Sequence, residues 1–424
     1  MKKIAMTTAL IVSLSFYGCK KLDNQDIEFP PYIQLLTESS ATIKYITKEP
    51  EKGCLSVDIE GNTEIICEPL ATKMHNIPIK GLASETTYTY NLKTNSQTIE
   101  KVERYITTLA KEETKEQTIW VVGDSGKNNS SSRLSVLKTN EYLGADKIDT
   151  FLMLGDNAYE SGKYEEYEKS MFVTFKELLK TNAPWMVIGN HDSRSGYYYD
   201  IFDFPTKGQS GGVASGSESY YSFDNGGVHY IMLDSQHIGA NAVDMIGWLR
   251  KDLATTNKKW IVAAFHHPPY TNAGHNSDDD SESLGLMKIM RELIVPELEN
   301  GDVDIVLTGH SHSYERSHLI KEHYGKSNTF SPSNIVQESQ DGEYTKCIER
   351  TTKGGTIYNV AGSTASSSVD PLLRADSHPA LPFSFDMAGS VIIKVQGNVL
   401  SSDFISIDGD ILDSYKITKT NCVI

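Results

Sequence analysis

From residue 118 onward, short apolar runs end again and again in a side chain able to bind a metal. The endings are Gly123-Asp124, Gly155-Asp156, Gly189-Asn190-His191-Asp192, His266-His267 and Gly309-His310-Ser311-His312. Carboxylate and amide oxygens combined with imidazole nitrogens suit Fe, Zn or Mn rather than Ca, which prefers oxygen throughout. Taken singly, a Gly-Asp pair is a turn and a lone histidine is a packed or surface residue. Five such endings in succession point to one shared metal site.

The elements that must position these side chains are legible as well. Apolar runs at 118–122, 150–154, 185–188, 229–233, 260–264 and 304–307 alternate with helical stretches at 164–179, 245–253 and 282–298, which predicts an α/β domain. In such sheets ligands gather beyond the carboxyl ends of the strands, and glycine there lets the backbone turn sharply. Residues 27–109 read differently. Short alternating runs rich in β-branched and aromatic residues, such as 41–47 and 86–92, recur between turn residues and predict an all-β sandwich with no cluster of chemical groups. The charged stretch 110–117 reads as a linker. Strands return from about Gly355, and no internal repeat is present.

A formal charge of −16, from 56 acidic against 40 basic side chains, argues against general affinity for nucleic acid or anionic lipid. An anionic substrate then needs a local reversal of that field, which bound cations supply. At the N-terminus, Lys2 and Lys3 precede an apolar stretch too short to span a bilayer, followed by Gly18-Cys19, so residues 1–19 read as an export signal. A small residue before cysteine resembles a bacterial lipoprotein signal with Cys19 as the lipidated residue, hence a membrane anchor; Phe16 and Tyr17 are bulkier than usual there, and a plain secretory signal is the alternative. Export implies an oxidising compartment, in which the remaining cysteines pair as Cys54 with Cys67 and Cys347 with Cys422, or else stay as four buried thiols.

The motifs Gly123-Asp124-Ser125-Gly126, Gly155-Asp156-Asn157-Ala158-Tyr159, Gly189-Asn190-His191-Asp192, Ala264-Phe265-His266-His267-Pro268 and Gly309-His310-Ser311-His312 together resemble the calcineurin-like metallophosphoesterases, and specifically the purple acid phosphatases. The resemblance covers most of 118–420 and implies a four-layer α/β/β/α catalytic domain there, preceded by a fibronectin-III-like β-sandwich over 27–109. It implies Asp124, Tyr159 and His312 at a ferric site, Asn190, His266 and His310 at a divalent site of Fe, Zn or Mn, and Asp156 bridging both. Tyr159 is the distinguishing residue, because a phenolate stabilises Fe(III) and gives such centres their colour. His191 and His275 resemble the histidines that hold the phosphate and protonate the leaving group. Two departures stand out. Val262 lies one residue earlier than the family's valine, and Asp192 stands where larger members have glutamate.

The implied activity is acid hydrolysis of small phosphate monoesters, with two cations about 3.5 Å apart ionising a water that attacks phosphorus. Rival readings are a phosphodiesterase or nucleotide hydrolase on the same centre, and a non-catalytic surface-binding protein on an enzyme scaffold. Substrate choice is expected to reside in the loops 207–219 and 363–385. Tyr314, Glu315 and Arg316 either orient His312 or lend positive charge, or else form an ion pair with aromatic packing below the site. His267 is expected to face the core, and Asp278-Asp279-Asp280 to form a solvated loop or a helix start rather than a further metal site. No role is read for His318, His323 or His378, and the physiological ester, the divalent metal and the oligomeric state stay open.

Overall fold

A strand apolar on both faces needs cover on both, and Trp260–Phe265 is such a strand. Trp260, Val262 and Ala264 enter one buried apolar cluster, while Ile261, Ala263 and Phe265 enter a second. The computed structural model, described over residues 27–93, 104–111, 116–338, 341–350, 353–367 and 378–422, shows what lies on each side.

Two seven-stranded sheets share the first cluster. One runs from edge to edge as Pro184–Met186, Thr150–Met153, Gln117–Val122, Gly389–Gln396, Val399–Ser406, Ile411–Thr420 and Glu343–Cys347. The other runs Tyr221–Asn225, Val228–Met232, Trp260–Phe265, Ile305–Thr308, Ile357–Ala361, Tyr314–Arg316 and Phe383–Phe385. Within the first sheet 117, 150 and 184 are parallel, and within the second 228, 260, 305 and 357 are parallel, so each group ends at a common edge. Helix Ile238–Thr255 and the helical segments from Leu286 to Asn300 cover the second sheet, burying Met245, Trp248, Leu249, Met290, Ile294 and Leu298 in the second cluster. Helix Ser130–Leu143 lies over the first sheet, tied by Thr139 Oγ1 to Ser390 Oγ at 2.6 Å and by Tyr142 OH donating to Asp403 at 2.6 Å. The order is therefore α/β/β/α.

Three helices depart from their expected spans. The stretch 164–179 is an α-turn at Tyr164–Tyr167, a π-segment at Glu168–Phe172 and a 3₁₀ turn at Leu178–Lys180, because Ser170 Oγ donates to the Glu166 carbonyl and competes with the helical ladder. The 282–298 helix begins only at Leu286, since Ser283 and Leu284 are left-handed. The 245–253 helix extends to Ile238–Thr255, its apolar period marking only the buried middle. Helix Ser130–Leu143 went unread, for its buried face is mainly Ser132, Ser135 and Thr139, and it is started by Asn129 accepting from Ser132 N at 3.0 Å.

Before residue 110, a three-stranded sheet (Ile27–Gln34, Ser40–Glu51, Thr72–Lys80) and a four-stranded sheet (Asn62–Cys67, Cys54–Ile59, Thr87–Lys93, Arg104–Thr107) enclose an apolar core. Disulfides join Cys54 to Cys67 and Cys347 to Cys422, which removes the thiol alternative. This β-rich region is fastened to the sheets that follow. Phe29 stacks on Tyr164 at 4.4 Å, Tyr32 OH donates to the Ile201 carbonyl at 2.6 Å, and Lys44 pairs with Asp203 at 2.9 Å. The signal segment 1–19, with Cys19, lies outside the described residues, as do 112–115 of the linker and 368–377 of the second loop.

Candidate metal centre

The parallel strands of both sheets deliver their terminal side chains to one cleft. Asp124, Asp156, Tyr159 and Asn190 follow strands of the first sheet, and His266, His310 and His312 follow strands of the second. The turns are tight enough to hold Asp124, Asp156 and His310 at φ of +52°, +53° and +68°, a left-handed region that side chains rarely adopt and that clusters at functional sites. Close approach requires glycine at two places. A Cβ on Gly155 would meet His266 Nδ1 at 2.5 Å, and one on Gly189 would strike the Asp156 carboxylate.

Two donor sets form around Asp156. Tyr159 OH lies 2.9 Å from Asp156 Oδ2, 3.1 Å from Asp124 Oδ1 and 3.0 Å from His312 Nε2. On the other side, Asn190 Oδ1 lies 3.1 Å from both His266 Nε2 and His310 Nδ1, and His266 Nε2 is 3.5 Å from Asp156 Oδ1. All seven residues expected to bind metal thus converge, and one carboxylate faces both sets with different oxygens. The outer ring nitrogens have partners that orient them. His266 Nδ1 donates to the Leu154 carbonyl at 2.8 Å, His310 Nε2 meets Ser283 Oγ at 2.7 Å, and His312 Nδ1 meets Ser366 Oγ at 3.5 Å, so the other nitrogen of each ring faces the donor sets.

Electrostatics supports the same reading. Burial works against the Asp156 carboxylate, yet His266 and the His191 backbone N–H hold its pKa below the usual range. Burial lowers His266, but Asp156 and Asp124 override it and push it up to about 9. Burial and the neighbouring His267 and His266 press His310 well below its ordinary value, and burial with Asp124 and Asp156 lifts the Tyr159 phenol well above its own. The buried Tyr159 phenol thus faces two carboxylates beside three imidazoles. The donor chemistry fits cations: a phenol oxygen, two carboxylates, an amide oxygen and imidazole nitrogens. Asp124, Asp156 and His266 have ligand atoms within 4.8 Å of one another.

His191 and His275 flank the cleft. His191 Nδ1 donates to the Glu160 carbonyl at 2.6 Å, its ring lies 4.2 Å from that of Tyr159, and its Nε2 is 3.9 Å from Asp156 Oδ2. His275 stacks on His310 with centroids 4.0 Å apart and is bonded through Nδ1 to Glu282, which also accepts from Asn276 N at 2.8 Å.

Several supporting residues have no spacing signature in the sequence. Asp192, completely buried, accepts from Asn157 N at 3.0 Å, Gly189 N at 2.9 Å and Tyr167 OH at 2.8 Å, locking together the turns of Asp156 and Asn190. Burial and Asp156 push it up to about 7 against those donors. Glu315 accepts from Thr271 Oγ1 and from Asn272 N at 3.1 Å, anchoring the loop that bears His275. Arg316 forms a bidentate pair with Asp413 at 2.5 and 2.9 Å, joined by Tyr314 OH at 2.7 Å, so these two make the ion pair below the site. His267 is buried with Nδ1 at 2.9 Å from Ser235 Oγ, but it also packs against His310 at 4.4 Å and can share a cation with His266 and His310. Asp278 takes Ser327 N at 2.9 Å, and Asp280 pairs with Lys326 at 3.2 Å, as expected of a surface loop.

Residues 117–314 match the calcineurin-like phosphoesterase family. Among curated proteins the chain is similar to purple acid phosphatase 18 of Arabidopsis thaliana, 32% identical over 230 residues (52% of this chain, 48% of the relative). It is also similar to purple acid phosphatase 22 of the same plant, 31% identical over 258 residues (58% of this chain, 54% of the relative). The chain spans about half the length of these curated relatives. Its fold is similar to that of a solved purple acid phosphatase from yellow lupin (Lupinus luteus), with a TM-score of 0.71 at 18% identity over 93% of this chain and 76% of that one.

Proposed function

From the premise that this chain contains a calcineurin-like metallophosphoesterase domain related to purple acid phosphatases, we propose that it is an acid phosphatase acting on small phosphate monoesters at a dinuclear centre. Asp124, Tyr159 and His312 would hold Fe(III), Asn190, His266 and His310 a divalent Fe, Zn or Mn, and Asp156 would bridge the two. The observation that supports this most is the division of Asp156, with Oδ2 at 2.9 Å from Tyr159 OH and Oδ1 at 3.5 Å from His266 Nε2. The boundaries 27–109, as a fibronectin-III-like sandwich, and 118–420, as the catalytic domain, belong to the same reading. So does export, to which the two disulfides lend weight.

Bound there, the cations would neutralise phosphate charge and lower the pKa of a water to the mildly acidic range. The chain's own groups do the rest. His191, its Nδ1 fixed on the Glu160 carbonyl, directs Nε2 into the cleft, where it holds a phosphate oxygen. Water adds to phosphorus, the ester P–O bond breaks, and the leaving oxygen takes a proton from His275, which Glu282 keeps oriented.

The test is the visible spectrum of purified, metal-analysed protein, alongside turnover of nitrophenyl phosphate and bis-nitrophenyl phosphate. A purple band with bound iron that disappears in Tyr159→Phe, and preference for the monoester, are expected. A colourless, fully active wild type would overturn the ferric assignment, and preference for the diester would overturn the monoesterase reading.

A further inference from the structure

Neighbouring residues along a strand point to opposite faces. His266 and His267 depart from that rule, for the strand ends at Phe265 and both rings pack against His310, with centroids 5.0 and 4.4 Å away. His266, His267 and His310 each offer one ring nitrogen, and these three atoms lie within 4.8 Å of one another. All three residues are buried, His267 at 1% exposure, and among the described residues no hydrogen bond joins any two of the rings.

His267 is held from behind as the other ring donors are. Ser235 Oγ accepts from the His267 backbone N–H at 2.9 Å and lies 2.9 Å from its Nδ1. A hydroxyl oxygen has two lone pairs and can accept both hydrogens. With hydrogen on Nδ1 the lone pair of Nε2 is unused, and among the described residues Nε2 has no hydrogen-bond partner. A buried ring nitrogen left unpaired carries a desolvation cost that a bound cation offsets. Three imidazoles this close and unlinked to one another are a donor set for an ion that favours nitrogen. We infer that His267 is a further ligand of the divalent ion, which then has three imidazoles beside Asn190 and Asp156, and that the position selects zinc or ferrous iron over manganese. Imidazole suits zinc and iron, whereas carboxylate and water suit manganese. The inference rests on the proposed dinuclear centre and narrows its divalent metal.

The experiment is X-ray absorption at the zinc edge of full-length protein carrying one iron and one zinc per chain, a composition fixed beforehand by elemental analysis. Ring scattering should count three imidazoles on zinc in wild type and two in His267→Phe, which keeps a planar ring without a donor. By chelator competition the same change should weaken zinc binding about tenfold or more and manganese binding by less, so that the wild-type preference for zinc narrows. Ser235→Ala, which releases Nδ1 and leaves the ring, should give a smaller loss in the same direction. Two imidazoles on zinc in wild type would overturn the inference, whether or not the variant folds. So would equal weakening of zinc and manganese in folded His267→Phe, the result expected if the ring only packs against His310. Failure of the underlying reading would show separately, as a chain that holds fewer than two ions or releases no phosphate from phenyl phosphate, because counting rings needs no turnover.

Discussion

A carboxylate shared by two donor sets cannot be replaced without disturbing both. In Asp156→Ala, bound metal should fall from two ions per chain to fewer than one, with phosphatase activity lost in parallel, as read by elemental analysis and nitrophenyl phosphate turnover. Normal stoichiometry would contradict the bridging role. Asp192 works at one remove. Its carboxylate satisfies buried donors on Asn157, Gly189 and Tyr167, and removing it strands them. Asp192→Ala should therefore cost about 3 kcal/mol in chemical denaturation, with weaker metal retention, although Asp192 touches no proposed metal position. A cost under about 0.5 kcal/mol, the range of ordinary surface changes, would show that the turns hold without it.

Among the elements, strand Val228–Met232, helix Ile238–Thr255 and the 207–219 loop are joined by one buried histidine. His229 lies 2.6 Å from Asp224 Oδ1 and 2.8 Å from Asp252 Oδ2, and Asp252 also accepts from Val213 N at 2.7 Å. Burial would lower its pKa, but hydrogen bonds to Asp224 and Asp252 raise it to about 9 from an ordinary 6.5. Because the folded value is the higher, the stabilisation is fully present below pH 6.5 and is lost as pH rises through 9. It amounts to about 3 kcal/mol at most. Thermal unfolding should show that loss in wild type and a flatter profile over the same window in His229→Gln. Elements were legible where burial leaves a period. Six of the seven parallel strands stood out because each is a mainly apolar run, and the ends of most revealed donors because Gly-Asp, Gly-Asn and Gly-His pairs or a His-His pair fall there. Helix Ser130–Leu143 was hidden because hydroxyls rather than aliphatic side chains line its buried face. The start of the 282–298 helix was misread because Glu282 and Ser283 are drawn to His275 and His310, a tertiary demand that overrides local propensity. Ser235 escaped notice for a related reason, since a single buried polar residue repeats at no interval, and the parts played by Asp192 and Glu315, both visible within motifs, depend on partners that no spacing reveals.

For the molecule as a whole, the two disulfides close loops of very different size. Cys54–Cys67 spans 13 residues and Cys347–Cys422 spans 75. By chain entropy the first should contribute about 3 kcal/mol and the second about 4.5 kcal/mol. Replacing the Cys347–Cys422 pair by serines should thus lower the unfolding midpoint more than replacing the Cys54–Cys67 pair, and the reverse order would show that local strain outweighs loop length. The second bridge also lies beside a buried charge network, where Lys346 reaches Asp304 at 2.8 Å and Lys419 the same carboxylate at 2.8 Å, so its loss should loosen the outer edge of the first sheet. The division of donors between sheets has one more consequence. A nick in the 207–219 loop leaves Asp124, Asp156, Tyr159 and Asn190 on one fragment and His266, His310 and His312 on the other. On the ferric reading proposed above, neither piece alone has a complete set for either ion, so the appearance of purple on mixing them would be a visible signal that two severed halves had found each other.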